Sequence, residues 1–249
     1  MHGDAREIPP FLVLQHARCE PPAAFGEELA AQGLAALAVE LDEGEALPGD
    51  PTEFAGLVVM GGPMGVYEGD RHPWLRAEVA YLEAALAADI PIWGVCLGAQ
   101  LLARALGGGV RPGPAPEVGV RPVRPTPEAA SDPVFRAAPT TFPALHWHGD
   151  TYGLPAGAIR LAESEAYAEQ AFRYGRSLGL QFHLEVSPAL AAEWSALPAY
   201  ERSIESALGP DALPGLIGRI AEIAPEANRL GRRLFAGWVA EALAGGSPG

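Results

Sequence analysis

Residues 92–100, Ile92-Trp93-Gly94-Val95-Cys96-Leu97-Gly98-Ala99-Gln100, set a thiol at the seam between an apolar run and a helix-forming one. Residues 90–95 read as a strand apolar on both faces, as in a parallel sheet covered by helices. Residues 99–106 read as a helix, with Gly107-Gly108-Gly109 as its glycine stop. Across such a junction, Gly94-x-Cys96-x-Gly98 is the thiol counterpart of a nucleophile elbow. Small neighbours allow the sharp turn that lifts the side chain clear of the backbone. Cys96 is therefore read as a nucleophile for an amide or similar acyl carbon. A helix start favours an anion by at most about 2 kcal/mol, so activating the thiol calls for a histidine partner as well.

Outward from this junction, short apolar runs alternate with helical patterns. Residues 11–15, 36–41 and 56–60 read as strands and residues 24–32 as a helix; the third strand ends abruptly at Gly61-Gly62-Pro63. From His72-Pro73 the pattern turns helical, with Trp74, Val79, Leu82 and Leu86 near helical spacing. This alternation predicts an α/β fold, a mostly parallel central sheet flanked by helices. The proline-rich residues 111–127 read as loops and short edge strands. Residues 142–147, 158–163, 168–173 and 178–182 read as shorter strands of a second, antiparallel or mixed region. Beyond Pro188 the pattern is helical over 189–197, 200–208, 211–223 and 225–244, Pro225 standing where a helix would begin. Residues 245–249 read as a frayed end. The division is thus a domain over 8–188 and a helical C-terminal extension over 189–249, packed on the same domain.

Composition excludes several chemistries. The chain of 249 residues carries a net charge of −14, the wrong sign for a nucleic-acid partner. All 17 basic residues are arginine, which removes Schiff-base lysines, bound pyridoxal phosphate and a Walker-type phosphate loop. No apolar run approaches a membrane span and the first ten residues lack a signal peptide's apolar core, so a cytoplasmic protein without membrane contact is expected. Cys19 and Cys96 are too few for a disulfide framework, and Cys96 is expected to be a free thiol.

The histidine partner is sought at Gln181-Phe182-His183-Leu184-Glu185, where an apolar strand ends in two polar residues two apart. Glu185 would orient His183 and stabilise its protonated form. Taken alone, the segment reads as well as a strand end followed by a helix cap.

Three separated motifs in order resemble the class I glutamine amidotransferase family, over roughly residues 11–186. Gly61-Gly62-Pro63-Met64 is similar to that family's oxyanion strand, residues 94–100 to its nucleophile elbow, and residues 181–185 to its histidine and glutamate segment. Glu117-Val118-Gly119 and His148-Gly149-Asp150 resemble two weaker signatures of the amidotransferase domain of GMP synthetase and its stand-alone relatives. The resemblance implies a flavodoxin-like fold and a Cys96-His183-Glu185 triad. It also implies an oxyanion hole at the amides of Gly62 and Leu97, and a glutamine pocket near Gln100, His148 and Asp150. Gln100 reads equally as an ordinary helix residue. Leu184 stands where many members have proline, which leaves the geometry unaffected.

Nothing in the chain resembles a synthetase domain. Ammonia would pass to a separate synthetase subunit, or the enzyme would hydrolyse a γ-glutamyl amide or peptide outright. From another class, the fold could serve as a non-catalytic regulatory or redox-sensing thiol protein. No cofactor is implied. His146-Trp147-His148-Gly149-Asp150 offers metal-ligand types, but no second cluster completes a site and no metal is expected. Cys19 reads as a bystander, and Tyr67-Glu68 and Arg71-His72-Pro73 as a rim to the site. The terminal helices are open to three roles: covering the site, forming a homodimer contact or binding a partner.

Overall fold

The computed structural model describes residues 8–245, so the start of the chain and all but Gly245 of the end expected to fray over 245–249 lie outside it. Nine strands form one sheet: β1 (Phe11–Gln15), β2 (Ala36–Glu40), β3 (Gly56–Val59), β4 (Ile92–Val95), β5 (Val110–Pro125), β6 (Phe142–Tyr152), β7 (Ile159–Glu163), β8 (Ala171–Tyr174) and β9 (Ser177–Leu180). Six α-helices accompany them: α1 (Ala23–Ala31), α2 (Trp74–Ala87), α3 (Leu97–Ala105), α4 (Pro188–Ser195), α5 (Pro198–Leu208) and α6 (Leu213–Ala244). The order across the sheet is β2-β1-β3-β4-β9-β8-β7-β5-β6, parallel from β2 to β9 and antiparallel beyond. The shorter strands expected as a separate region thus continue the same sheet.

The central strands are continuously apolar because each face meets a different set of helices. Phe11, Val13, Val58, Trp93 and Val95 face one core with Phe25 of α1 and Phe235 and Trp238 of α6. Their neighbours Leu12, Leu14, Leu57, Val59 and Ile92 face the other, against Leu75 and Leu82 of α2 and Leu101 and Leu102 of α3. A third apolar cluster packs α4, α5 and the start of α6 on Val118, Leu145 and Trp147 of β5 and β6. The carboxyl ends of β1, β3, β4 and β9 come together there, where open α/β sheets place their sites.

Two expectations need correction. Residues 110–125 form one long strand rather than loops and short edge pieces. β5 pairs with β7 only at Arg124 and Pro125, so most of its second edge has no strand neighbour and proline, lacking an N–H, is tolerated. Its register on β6 breaks between Pro112 and Glu117, where the prolines cluster. Second, no helix begins at Pro225: α6 runs through it. Ile220, Ala224, Ala227, Gly231, Leu234 and Trp238 keep one buried stripe across that point, and Ala221, whose carbonyl loses its helical donor, is an exposed residue.

Candidate active site

Cys96 stands between β4 and α3 with φ 51° and ψ −107°, a conformation strained for a residue with a side chain. Three contacts hold it there. Its amide donates to Leu180 O at 2.7 Å, its carbonyl accepts from Gln100 N at 3.1 Å, and Gly98 N donates to Met60 O at 3.1 Å. The flanking glycines answer to crowding. A Cβ on Gly94 would lie 2.6 Å from Gly98 O, and one on Gly98 would collide with the Val59 carbonyl of β3. The elbow turns sharply because both backbones approach without side chains.

His183 lies just beyond the end of β9, its backbone paired with Leu145 of β6 through bonds of 2.8 and 3.3 Å. Its Nδ1 is 2.6 Å from Glu185 Oε1, and Glu185 Oε2 accepts from Leu184 N at 2.9 Å. The helix that follows is capped instead by Ser187, whose hydroxyl accepts from Leu190 N at 3.2 Å. The carboxylate of Glu185 is thus left to the imidazole. Burial alone would lower the His183 pKa, but the Glu185 charge and hydrogen bonding to Cys96 and Glu185 raise it well above the ordinary value. The ring meets Trp194 of α4 edge-on, centroids 4.9 Å apart.

A cavity of about 330 Å³ opens over Cys96, walled by Gly62, Leu97, Gln100, His148 and Asp150 among others. Every residue read from the sequence as an oxyanion or substrate contact therefore borders one space. Gly62 is crowded into place: a Cβ would lie 2.9 Å from both His16 Cβ and Leu97 Cδ2. Leu97 opens α3, where amides have no intrahelical acceptor. Gln100 donates to Gln181 Oε1 at 3.1 Å, and Gln181 Nε2 lies 3.7 Å from Cys96 Sγ, so this pair braces the nucleophile. His148 has both ring nitrogens engaged, with Asp150 O at 3.0 Å and Glu117 Oε2 at 3.1 Å, leaving it a wall and a brace. The Tyr67 hydroxyl donates to Asp150 Oδ1 at 3.2 Å; burial still pushes the Asp150 carboxyl above the ordinary range. Tyr67 and Glu68 line the cavity, as expected of a rim, whereas Arg71 is drawn to Glu68 at 2.8 Å.

Sequence reasoning missed two buried pairs beside this site. His16, just past β1, is held between Gly61 O at 3.0 Å and Glu78 Oε1 of α2 at 2.9 Å, and stacks on Trp74. Burial lowers its pKa, but the charge and hydrogen bond of Glu78 outweigh this and raise it. Two acceptors on one ring make it an imidazolium that fixes the Gly61-Gly62 loop. Glu20 accepts from the Tyr200 hydroxyl of α5 and lies against Gly61, where a Cβ would strike it. Burial pushes its carboxyl up to about 7 against the pull of Tyr200 and His183. A charged residue next to apolar ones was the only signal of Glu78, and nothing local linked Glu20 to Tyr200.

Glu117, His146 and His148 bring metal-ligand atoms within 4.8 Å of one another, Glu117 being the carboxylate missing from the sequence reading of that cluster. Glu117 Oε2 already takes His148 Nε2 and Gln170 Nε2, the latter at 2.7 Å, and lies 3.2 Å from His146 Nδ1. Burial would raise the Glu117 pKa, but hydrogen bonding to, and the charges of, His146 and His148 outweigh it and lower it strongly. Cys19 and Cys96 are both free thiols, and burial pushes the Cys19 thiol up to about 11, which disfavours its reactivity.

Residues 28–193 match the family model "Glutamine amidotransferase class-I". The chain belongs to the class I glutamine amidotransferase family. Members of this family are in general cysteine-dependent enzymes. The chain is similar to the glutamine amidotransferase-like protein YfeJ of Salmonella typhimurium, 37% identical over 57% of this chain and 61% of that one. It is also 38% identical to a glutamine-hydrolysing GMP synthase of Thermomicrobium roseum, over 53% of this chain and 23% of the synthase. The chain thus spans less than two thirds of either relative. A glutamine amidotransferase of Thermotoga maritima superposes with a TM-score of 0.84 at 30% identity, covering 94% of this chain and 99% of that one. A second, from Methylobacillus flagellatus, gives 0.82 at 28% identity, covering 94% and 95%. The amidotransferase fold read from the sequence is therefore the fold of the chain. Glu20 and Tyr200 both fall outside the residues matched by the family model. No helix among the described residues is long and apolar enough to cross a membrane.

Proposed function

We propose that the chain hydrolyses the side-chain amide of glutamine through a γ-glutamyl thioester on Cys96. The observation that carries this is the 2.6 Å contact between His183 Nδ1 and Glu185 Oε1, on an imidazole whose pKa is raised by Glu185 and Cys96. His183 takes the thiol proton as Sγ attacks the amide carbon, and Glu185 holds the imidazolium that forms. The amides of Gly62 and Leu97 receive the oxyanion, a role in which loss of one donor costs about 3 to 4 kcal/mol. His183 then protonates the leaving nitrogen, the C–N bond breaks and ammonia departs. Water, deprotonated by the same ring, cleaves the thioester to glutamate and restores the thiol.

Gln100 braces the elbow through Gln181, and His148 holds the turn that presents Asp150. Glu68 and Asp150 are the carboxylates on the cavity wall and suit the substrate's α-ammonium group. Ammonia would go to a separate synthetase subunit, a reading favoured by the similarity to one part of a GMP synthase. The raised pKa of the half-buried Cys19 speaks against a redox-sensing pair. The test is release of ammonia from glutamine by the purified chain. Cys96→Ala should abolish it and His183→Ala should be nearly as severe, because the triad acts as a unit; turnover retained in Cys96→Ala would overturn the mechanism.

A further inference from the structure

Part of the cavity wall comes from outside the parallel strands and the elbow. Ala199, Tyr200 and Ser203 of α5 form it, with Trp147 of β6. The segment is anchored at three points on two elements. The Tyr200 hydroxyl donates to Glu20, Trp194 Nε1 donates to Cys19 O at 2.6 Å, and Trp147 Nε1 donates to Ser203 Oγ at 2.7 Å. The Ser203 hydroxyl is in turn spent on Tyr200 O at 2.7 Å. With these polar atoms occupied, the wall offers the cavity ring faces and hydrocarbon. It also stands on the His183 side, since Trp194 packs between that imidazole and Tyr200, with ring centroids 4.9 and 6.0 Å away. His183 is the group that hands a proton to the departing nitrogen, so whatever that nitrogen carries must fit against α5.

Resting on the hydrolytic reading above, we propose that Tyr200, clamped to Glu20, is a specificity-determining residue. It limits the leaving amine to ammonia or a slim substituent and excludes γ-glutamyl amides of bulky amines. Cys96 is only 6% exposed, in keeping with a site closed from above.

The test compares alkylation of Cys96 by iodoacetamide and by its N-phenyl derivative, followed by mass spectrometry of the Cys96 peptide. Alkylation needs no turnover. A chain without glutaminase activity would sink the function proposed above and still leave the wall open to this measurement. Tyr200→Ala should raise the rate with the bulky reagent, relative to the small one, by about tenfold or more. Tyr200→Phe, which keeps the ring but loses the hydrogen bond to Glu20, should raise the ratio less than Tyr200→Ala does. Ala199→Phe, at a half-exposed position that tolerates a larger side chain, should lower the ratio instead. Equal acceleration of both reagents in Tyr200→Ala, or an unchanged ratio in Ala199→Phe, would overturn the proposal.

Discussion

Glu185 turns both carboxylate oxygens back onto its own segment, Oε1 to the His183 ring at 2.6 Å and Oε2 to the Leu184 amide at 2.9 Å, so imidazole and carboxylate form one rigid unit. Glu185→Gln should keep the shape of this unit and lose its charge. Loss of a comparable carboxylate in a serine-protease triad costs about 10⁴ in kcat, and a fall in kcat of about 10² to 10⁴ with little change in KM is expected here. A loss below about fivefold would remove Glu185 from the mechanism.

The His16–Glu78 pair tests how the Gly61-Gly62 loop is held. Both partners are fully buried, and removing one leaves the other without compensation, which costs about 3 to 5 kcal/mol. Glu78→Gln should therefore lower the urea midpoint by a corresponding amount and reduce kcat, since the loop that presents the Gly62 amide loses its anchor. A loss under about 1 kcal/mol would mean that the pair does not support the loop.

Glu20 predicts a pH dependence of stability. Its folded pKa, about 7, lies above the unfolded carboxylate value of about 4.5, so the folded protein binds this proton more tightly. The associated stability is complete below about pH 4.5 and is lost as pH rises towards 7, by about 3 kcal/mol in all. The thermal midpoint should fall between pH 5 and pH 7.5, and Glu20→Gln should flatten that slope. An unchanged slope in the variant would assign the effect to other groups.

Pro225 sits exposed in the middle of α6, where it removes one helical hydrogen bond. Pro225→Ala should restore the bond to Ala221 O and stabilise the protein by about 1 to 3 kcal/mol. Destabilisation would show that the ring, and not the buried stripe alone, shapes α6.

The parallel half of the fold was legible because its signals are local. The apolar runs of β1, β3 and β4 and the Gly-x-Cys-x-Gly junction follow from residues adjacent in the chain. The Cys96, His183 and Gly62 positions were legible for the same reason, each closing a recognisable strand. β5 was hidden because proline normally argues against a strand, and only its unpaired edge makes five of them acceptable over 110–125. α6 was broken in two because the rule that proline starts a helix is weaker than a continuous buried stripe. Glu20 and Tyr200, 180 positions apart, meet only once the chain is folded. The same holds for Glu117 with His146 and His148, whose link rests on the pairing of β5 with β6.

The most direct test of the central claim is incubation with a glutamine-mimicking electrophile, followed by mass spectrometry of the peptides that carry Cys19 and Cys96. The account predicts one covalent adduct, on Cys96, whose formation is prevented by glutamine and strongly slowed in His183→Ala. An unlabelled Cys96, or labelling of Cys19 alone, would contradict it.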